Sequence, residues 1–414
     1  MNRRVVITGL GAITPIGNTV ESSWQALIRG KSGVEPLTLF DSSGFDVQIA
    51  GEVKGWNPAE YLNPKEVRRR DRYQLFAHEA IRQAALHAQI TITSEAQAER
   101  TGIIVGSAIG GMTSFSEQLH NITAGGARRM APFGIPSFMT TSGSALGGIE
   151  LGAMGVSYIL TSACATGSDC IGHAFDLIRL GRADTMLAGA AEAPILPNAV
   201  AGFDRLGACS HQNSDPAAAM RPFSRDRDGL VVSEGAAVIV LEELHSAQTR
   251  GANILAEIVG YGASSDAYHI VAPHPEGKGA ALAIRRALED AHLNPADLDY
   301  INAHGTATLL NDTMETLAIK HALGEDAYNI PISATKSMTG HAMGASAAME
   351  AVWSVLALRD QVIPPTLNLY DPDPTCDLDY VPHDARQKRL RHVMTNAFGF
   401  GGHNSVLIFK EFEA

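Results

Sequence analysis

The sequence predicts an α/β fold built from two similar halves. Strand-like apolar runs alternate with amphipathic helical patterns along the chain, which is typical of sheets flanked by helices. Residues 1–253 and residues 254–414 carry these elements in a similar order, as an old duplication would produce. The link near Gly251 is short and is not rich in Pro or Ser, so we expect the two halves to pack as one unit.

The composition indicates a globular protein with a large core. Its 414 residues are 45% hydrophobic and carry a formal charge of −12. That charge disfavours nucleic acid or an anionic membrane surface as a partner of the whole molecule. Four cysteines do not look like a disulfide framework in a chain of this length, and no apolar leader segment follows Met1. The cysteine usage and the lack of a leader predict a protein of the reducing cytoplasm. No apolar run is long enough to span a membrane.

The N-terminal half begins with a buried strand at 3–11 that runs into a glycine turn. Thr14 stands where a dinucleotide-binding loop needs its third glycine, so we expect no nucleotide site there. The predicted elements that follow are a strand at 102–111, a proline-punctuated loop at 132–138, a strand at 185–190, a polar excursion over the site at 201–227 and a strand at 230–241.

Cys164 is the candidate nucleophile of this half. It lies between a predicted strand at 156–160 and a predicted helix, with small residues on both sides. Backbone N–H groups at a helix N-terminus favour a thiolate, so we expect the pKa of this thiol below its free value of about 8.5. The alternative for an isolated cysteine is a buried structural role.

The segment 64–72, PKEVRRRDR, is strongly basic. It is predicted to form the first turns of a helix that continues through Ala77 and Ala80. Such a run is usually a solvated face, but in an acidic protein it is equally suited to docking an acidic partner.

The C-terminal half begins with a strand near Ile254 and an amphipathic helix at 279–292. Three polar or glycine-rich turns then each follow a strand-like segment. They carry His304, then Lys336 and His341, and finally Phe400, with Glu350 on the helix after the second turn. Open α/β folds place functional groups at the C-terminal ends of strands, so the three turns together indicate one site.

A cysteine with two histidines favours carbon–carbon bond formation over hydrolysis. A thiol protease needs one base and one orienting group, whereas a decarboxylative condensation also needs donors for a developing enolate. A metal site would need closely spaced ligand pairs, which Cys164, His304 and His341 do not form, so no metal is expected.

Four motifs resemble one family, in order and in spacing: SACATG around Cys164, NAHGTAT around His304, TKSMTGH ending at His341 and NAFGFGGHN around Phe400. The family is the β-ketoacyl-[acyl carrier protein] synthases of the thiolase fold, specifically the type II elongating enzymes of fatty acid synthesis. The resemblance covers essentially the whole chain. It implies a thiolase-like five-layer αβαβα fold and a homodimer, or a heterodimer with a related subunit. It also implies an acyl carrier protein as partner and no cofactor beyond the phosphopantetheine of that carrier.

The resemblance further implies a ping-pong reaction. An acyl group passes from its carrier to Cys164, malonyl carrier loses CO₂, and the resulting enolate attacks the thioester to give 3-oxoacyl carrier. His304 and His341 are then expected to stabilise the enolate. The backbone N–H groups of Cys164 and Phe400 are expected to form the oxyanion hole.

The resemblance assigns supporting roles to further residues. Lys336 is expected to organise the histidines with Glu350 as its support, and Phe400 to gate the site. The remaining matches are Thr306 and Thr308 for pantetheine, Ile109, Ala163, Phe203 and Gly134 for the acyl pocket, Asp312 for structural support, and Lys65, Arg68, Arg69, Arg128 and Arg129 for carrier docking.

Several positions depart from the family pattern. Gly134 stands where an aromatic residue commonly ends the acyl pocket, and Gly207 where a carrier-facing arginine is usual. Val271 and Ala272 replace hydroxyl residues near pantetheine, and TLLND at 308–312 replaces the usual TPAGD-like turn. These departures bear on substrate and carrier preference, not on the nucleophile.

Related activities remain as alternatives. A polyketide or aryl-polyene ketosynthase would share every catalytic residue. Intact Cys164, His304 and His341 argue against a non-catalytic chain-length partner. A thiolase would need a second cysteine where this chain has Phe398 and Phe400, and starter-unit synthases use Cys, His and Asn.

Overall fold

A nine-stranded mixed sheet runs through the protein, whose residues 3–413 are described by a computed structural model. Two small sheets of two strands each contain the other four strands of these residues. The strands are β1 (Val5–Ile13), β2 (Glu35–Pro36), β3 (Ile49–Ala50), β4 (Thr101–Gly106), β5 (Thr185–Glu192), β6 (Gly235–Glu243), β7 (Ala256–Ser265), β8 (Tyr300–Asn302), β9 (Ile332–Ser333), β10 (Val362–Ile363), β11 (Arg386–Gln387), β12 (His392–Gly399) and β13 (His403–Lys410). The α-helices are α1 (Val20–Ile28), α2 (Pro64–Val67), α3 (Arg72–His87), α4 (Glu95–Arg100), α5 (Met112–Gly125), α6 (Gly134–Phe138), α7 (Ser142–Leu151), α8 (Thr166–Arg179), α9 (Pro197–Arg205), α10 (Leu244–Thr249), α11 (Lys278–Ala291), α12 (Leu309–Leu323), α13 (Lys336–Thr339) and α14 (Gly344–Asp360).

The strand order of the large sheet is β4-β5-β6-β1-β7-β13-β12-β8-β9. The two halves of the chain meet in its middle, where Val5, Val6 and Ile7 of β1 pair with Ile258, Glu257 and Ala256 of β7. Because one ladder joins the halves, they form a single unit, as the short link predicts. The division at residues 253 and 254 stays a prediction.

Two helices show that this sheet folds back on itself. Helix α14 contacts β5 and β6 on one side and β12 on the other, and α8 contacts both β5 and β13. In a flat sheet β5 and β12 would lie about 24 Å apart, too far for one helix to touch both. The halves of the sheet therefore face each other across α8 and α14. With α3 and α7 outside one half and α11 and α12 outside the other, the order of layers is αβαβα, which confirms the expected fold.

The glycines of β1 are needed for close packing rather than for a turn. A side chain on Gly9 would start 2.4 Å from the carbonyl oxygen of Ala84, and one on Gly11 would start 1.9 Å from that of Ala80. Both carbonyls belong to α3, so β1 continues beneath this helix to Ile13. The glycine turn predicted at Gly9 and Gly11 is therefore wrong, and the chain turns only between Thr14 and Gly17.

Other local predictions also differ from the structure. The single helix predicted from 64–72 through Ala80 is two helices, since α2 ends at Val67 and Asp71 caps the start of α3. The run 156–160 forms no strand: only Ser157 bridges to the edge strand β4, and the run soon turns toward Cys164. The proline-punctuated segment 132–138 contains the short helix α6. The strand predicted at 230–241 begins only at Gly235, since the residues before it make isolated bridges.

Two global expectations concern membranes and disulfides. Across residues 3–413, no helix is long and apolar enough to cross a membrane. All four cysteines are free and buried.

Candidate active site

Cys164 lies in a tight turn that leads directly into α8. The turn is a single 3₁₀ turn over Ala163–Ala165, and Ala163 adopts a positive φ of 51°. Gly167, in the first turn of α8, packs against α14: a side chain there would start 2.4 Å from the backbone nitrogen of Ala348. This contact places the thiol beside the start of α14. The predicted position of the cysteine at the N-terminal end of a helix is thus correct.

The nearest partner of the thiol is His341. Its Nε2 atom lies 3.2 Å from the Sγ atom of Cys164, and its Nδ1 atom lies 3.1 Å from the hydroxyl of Ser346. The backbone N–H of Ala342 donates to the same hydroxyl at 2.8 Å. The imidazole is therefore held from the side opposite the sulfur.

His304 completes the cluster from the other half of the site. Its ring lies edge-on to that of His341, with centroids 5.5 Å apart. Both carboxylate oxygens of Glu315 hold the turn, accepting the N–H groups of His304 and Gly305 at 2.8 Å each. Lys336 lies beneath, where its Nζ atom donates to the carbonyl of His304 at 2.7 Å and to Glu350 at 2.6 Å.

Burial dominates the electrostatics of the cluster. It lowers the pKa of His304 and of His341 well below the usual 6.5, and the nearby Lys336 charge adds to this effect. Both imidazoles are therefore neutral near pH 7. Burial also raises the pKa of the Cys164 thiol to about 11, although the Lys336 charge and the N–H groups of Phe400 and Cys164 favour the thiolate.

The expected lowering of the Cys164 pKa is therefore wrong. Sequence reasoning counted the helix N-terminus but had no measure of how completely the sulfur is enclosed. The resting pair is a neutral thiol beside a neutral imidazole, which takes up the proton when the sulfur attacks.

The glycine-aromatic loop reaches the nucleophile from β12. Gly399 lies so close that a side chain there would start 2.8 Å from the carbonyl of Ser162 and 3.0 Å from the nitrogen of Cys164. Gly401 and Gly402 follow with φ of 81° and 72°. The N–H of Gly401 donates to the carbonyl of Ile270 at 2.7 Å, so the segment after β7 holds the glycine-aromatic loop in place.

The cluster opens into a cavity of about 360 Å³. Phe203 and Phe400 line it with ring centroids 6.5 Å apart, and Thr306 and Thr308 line it with their hydroxyls 2.9 Å apart. Ile109, Ala163 and Gly134 are not among its lining residues.

Two predicted supporting carboxylates are fully enclosed. Burial raises the pKa of Glu350 to about 7 against the opposing charge of Lys336. Asp312 accepts the N–H of Phe223 at 2.8 Å and lies 3.7 Å from Arg227. Within residues 3–413, no group of three or more His, Cys, Asp or Glu is placed to hold a metal ion.

The basic residues lie elsewhere on the surface. Lys65 and Arg68 are exposed on α2 and its C-cap, and the Arg69 guanidinium lies 4.2 Å from the centre of the Phe133 ring. Arg128 and Arg129 are exposed in a 3₁₀ turn after α5.

Comparison with known proteins identifies the family. The model of the β-ketoacyl synthase N-terminal domain matches residues 2–247, and that of the C-terminal domain matches residues 255–370. The chain belongs to the β-ketoacyl synthase family. The β-ketoacyl synthase is 46% identical over 413 residues to 3-oxoacyl-[acyl-carrier-protein] synthase 2 of Staphylococcus aureus (strain COL), covering 100% of this chain and 99% of that protein. It is 48% identical over 411 residues to the protein of the same name from Synechocystis, covering 99% of each.

Among solved structures, the β-ketoacyl synthase is similar to one titled as a type II PKS acyl-carrier protein in complex with its ketosynthase, bound to the hexaketide. The TM-score is 0.92, the sequence identity is 36%, and each chain is covered to 100%.

Two buried carboxylates of this β-ketoacyl synthase were not assigned a role from sequence. Glu315 holds the His304 turn. Glu192 accepts the N–H groups of Ala108 at 2.8 Å and Gly344 at 3.1 Å, which fixes the start of α14. Glu315 follows Asp312 by three residues, so helical periodicity would have placed both on one face of α12. Glu192 ends a buried strand, and a charge in that position was the available signal.

Proposed function

We propose that this β-ketoacyl synthase condenses an acyl group with malonyl-[acyl carrier protein] in fatty acid elongation, giving 3-oxoacyl-[acyl carrier protein] and CO₂. The observation that carries the proposal is the contact of 3.2 Å between Cys164 and His341, with the second imidazole of His304 facing the same cavity. Relatives that are 46% and 48% identical over the whole chain and carry the name of this activity support it.

The first half-reaction transfers the acyl group to Cys164. The sulfur attacks the thioester carbonyl while Nε2 of His341 takes its proton, since the imidazole is neutral. The N–H groups of Cys164 and Phe400 stabilise the oxyanion. The carrier sulfur then leaves and receives the proton, so one thioester replaces another.

The second half-reaction makes the carbon–carbon bond. Malonyl carrier loses CO₂, and the electron pair of the broken bond forms an enolate whose oxygen accepts hydrogen bonds from His304 and from His341, whose ring must by then carry its proton on Nε2 rather than on Nδ1. The enolate carbon attacks the acyl group on Cys164, and the thiolate that leaves takes up one proton. Lys336 positions His304 through its carbonyl and is itself held by Glu350.

The rest of the site binds the carrier and its arm. Thr306 and Thr308 bind the pantetheine, Phe400 gates access, and Phe203 bounds the acyl pocket with Ile109, Ala163 and Gly134. Lys65, Arg68, Arg69, Arg128 and Arg129 attract the acidic carrier. The proposal includes a homodimer, with a heterodimer as the alternative, and a cytoplasmic location.

Polyketide synthesis is the second candidate. The similarity to a ketosynthase in complex with its type II carrier favours it, with a TM-score of 0.92. The identity of 36% to that protein is lower than that to the fatty acid relatives, so we place elongation first.

Intact-protein mass spectrometry tests the function. The enzyme is mixed with acyl carrier proteins bearing saturated chains of different length, then with malonyl carrier. We expect each saturated chain to add to the protein and to be chased into 3-oxoacyl carrier. The Cys164→Ala variant provides the control, because it has no sulfur at which a thioester can form.

Two results would contradict the assignment. Appreciable condensation by the Cys164→Ala variant would show that Cys164 is not the nucleophile. Acylation by unsaturated or aryl chains on a dedicated carrier, with none by saturated chains, would favour the polyketide candidate.

A further inference from the structure

Four large apolar side chains are exposed around the mouth of the cavity. Leu206, Leu309 and Leu310 line it and are 52%, 60% and 62% exposed. Ile270, 73% exposed, directly precedes the lining residue Val271. We call these four residues the rim. Single exposed apolar residues are normal, but several around one opening mark a contact surface.

The fold does not require the side chains of Leu309 and Leu310. Leu309 and Leu310 are the first two residues of α12, and this helix packs on the core through Met314, Ala318 and Ile319. The N-cap role belongs to Thr308, whose hydroxyl accepts the N–H of Asn311. Polar residues would serve equally well in the first turn of α12, so the two leucines leave apolar surface in water without a structural gain.

The charges at the mouth are of the wrong sign for an acidic partner. No Lys or Arg is among the residues that line the cavity, whereas Asp228 and Asp266 are. Asp228 pairs with Arg221 at 2.9 Å, and Asp266 accepts a hydrogen bond from Asn404 at 2.8 Å. Arg205 is exposed beside Leu206, whereas Arg227, which donates to the carbonyl of Leu309 at 3.1 Å, is buried.

We infer that the rim binds an apolar surface of the acyl carrier protein, around the serine that bears its phosphopantetheine. The inference rests on the proposed function, and the position of the cavity selects this occupant. Because the arm enters over the rim and ends at Cys164, the protein at the base of the arm lies on the rim. Charge then steers the encounter through Lys65, Arg68 and Arg69, and apolar contact holds the carrier at the mouth.

The test compares two forms of one substrate. The double variant L309Q/L310Q is assayed with a saturated acyl group on purified acyl carrier protein and with the same group on free pantetheine. We expect KM for the carrier substrate to rise about tenfold, equivalent to about 1.4 kcal/mol. KM for the pantetheine substrate should rise far less, because pantetheine lacks the protein surface. L86Q is the matched control, since Leu86 is 64% exposed at the end of α3, outside the cavity lining.

Salt separates apolar contact from steering. The ratio of variant to wild-type KM for L309Q/L310Q should be the same at low and high ionic strength, because apolar contact is not screened. An equal rise for both substrates, or no rise for the carrier, would overturn the role of the rim. Failure of the wild-type enzyme to condense both the carrier substrate and the pantetheine substrate would instead overturn the proposed function.

Discussion

Nε2 of His341 lies 3.2 Å from Sγ of Cys164, and both side chains are buried. Enclosure opposes either charge, so the thiol keeps its proton and the imidazole stays neutral until substrate arrives. The pair therefore differs from a preformed thiolate–imidazolium pair. Its reactivity depends on proton transfer during the attack itself.

The rate of alkylation of Cys164 should therefore depend on pH as expected for a thiol with a high pKa. With a pKa of about 11, the thiolate fraction rises nearly tenfold for each pH unit from neutral pH to about pH 10. We expect the rate of modification by iodoacetamide, followed by peptide mass, to climb over this range without levelling. A plateau below about pH 8 would mean that the cysteine is ionised at rest.

Loss of Lys336 should destabilise the protein in a pH-dependent way. The raised pKa of Glu350 means that its carboxyl is protonated in the folded state below about pH 7. There, Lys336→Ala removes mainly hydrogen bonds. Above that pH the carboxylate of Glu350 is charged beside Lys336 in the wild-type protein. In the folded variant Glu350 keeps its proton, whereas in the unfolded variant it releases that proton. The cost should grow by about 1.4 kcal/mol per pH unit, toward a total on the order of 3–5 kcal/mol.

Urea denaturation of Lys336→Ala at pH 6 and pH 8 measures this effect. Arg389→Ala is the matched control, since Arg389 pairs with Glu411 at the surface and its loss should change the midpoint little at either pH. An equal destabilisation at both values would show that Glu350 does not change its protonation between them.

The motifs made the site predictable, and tertiary contacts account for what was missed. Cys164 precedes a helix, and His304 and Phe400 follow strands, a pattern readable along the chain; the structure brings them together with His341. The enclosure of Cys164 and the role of Glu315 depend on segments far away in sequence. Nothing local to residue 164 reports how α14 and β12 close over it.

The same reasoning explains the local errors in the fold. Gly9 and Gly11 predict a turn because their neighbours resemble the end of a strand. In the structure they leave room for α3 to pack closely against β1. The run at 156–160 has strand composition but lies beyond the edge strand, where one bridge replaces a ladder. Both outcomes depend on which element lies alongside, which periodicity does not encode.

Reversing the charge of Lys65 and Arg68 should weaken the binding of carrier-bound substrates but not that of pantetheine substrates. Both side chains are exposed, and neither forms a salt bridge within residues 3–413. We expect K65E/R68E to raise KM for carrier-bound substrate severalfold at low salt, and less at high salt, with pantetheine substrates little affected. Arg285→Glu is the control, because Arg285 is exposed on α11 in the opposite half. Equal changes in KM for both substrates would mean that the patch is only a solvated face.

Gly134 should control the longest acyl chain only when Met130 also changes. A side chain on Gly134 would start 2.6 Å from the Met130 methyl group, so this thioether already fills the adjacent space. The backbone of Gly134 is compatible with other residues, since its φ is not positive. We expect Gly134→Phe with Met130→Ala to shorten the longest product, read by mass spectrometry of the product chains. Met130→Ala alone should not shorten it, and thermal melting checks that each variant is folded. An unchanged product distribution in the folded double variant would place Gly134 away from the acyl pocket.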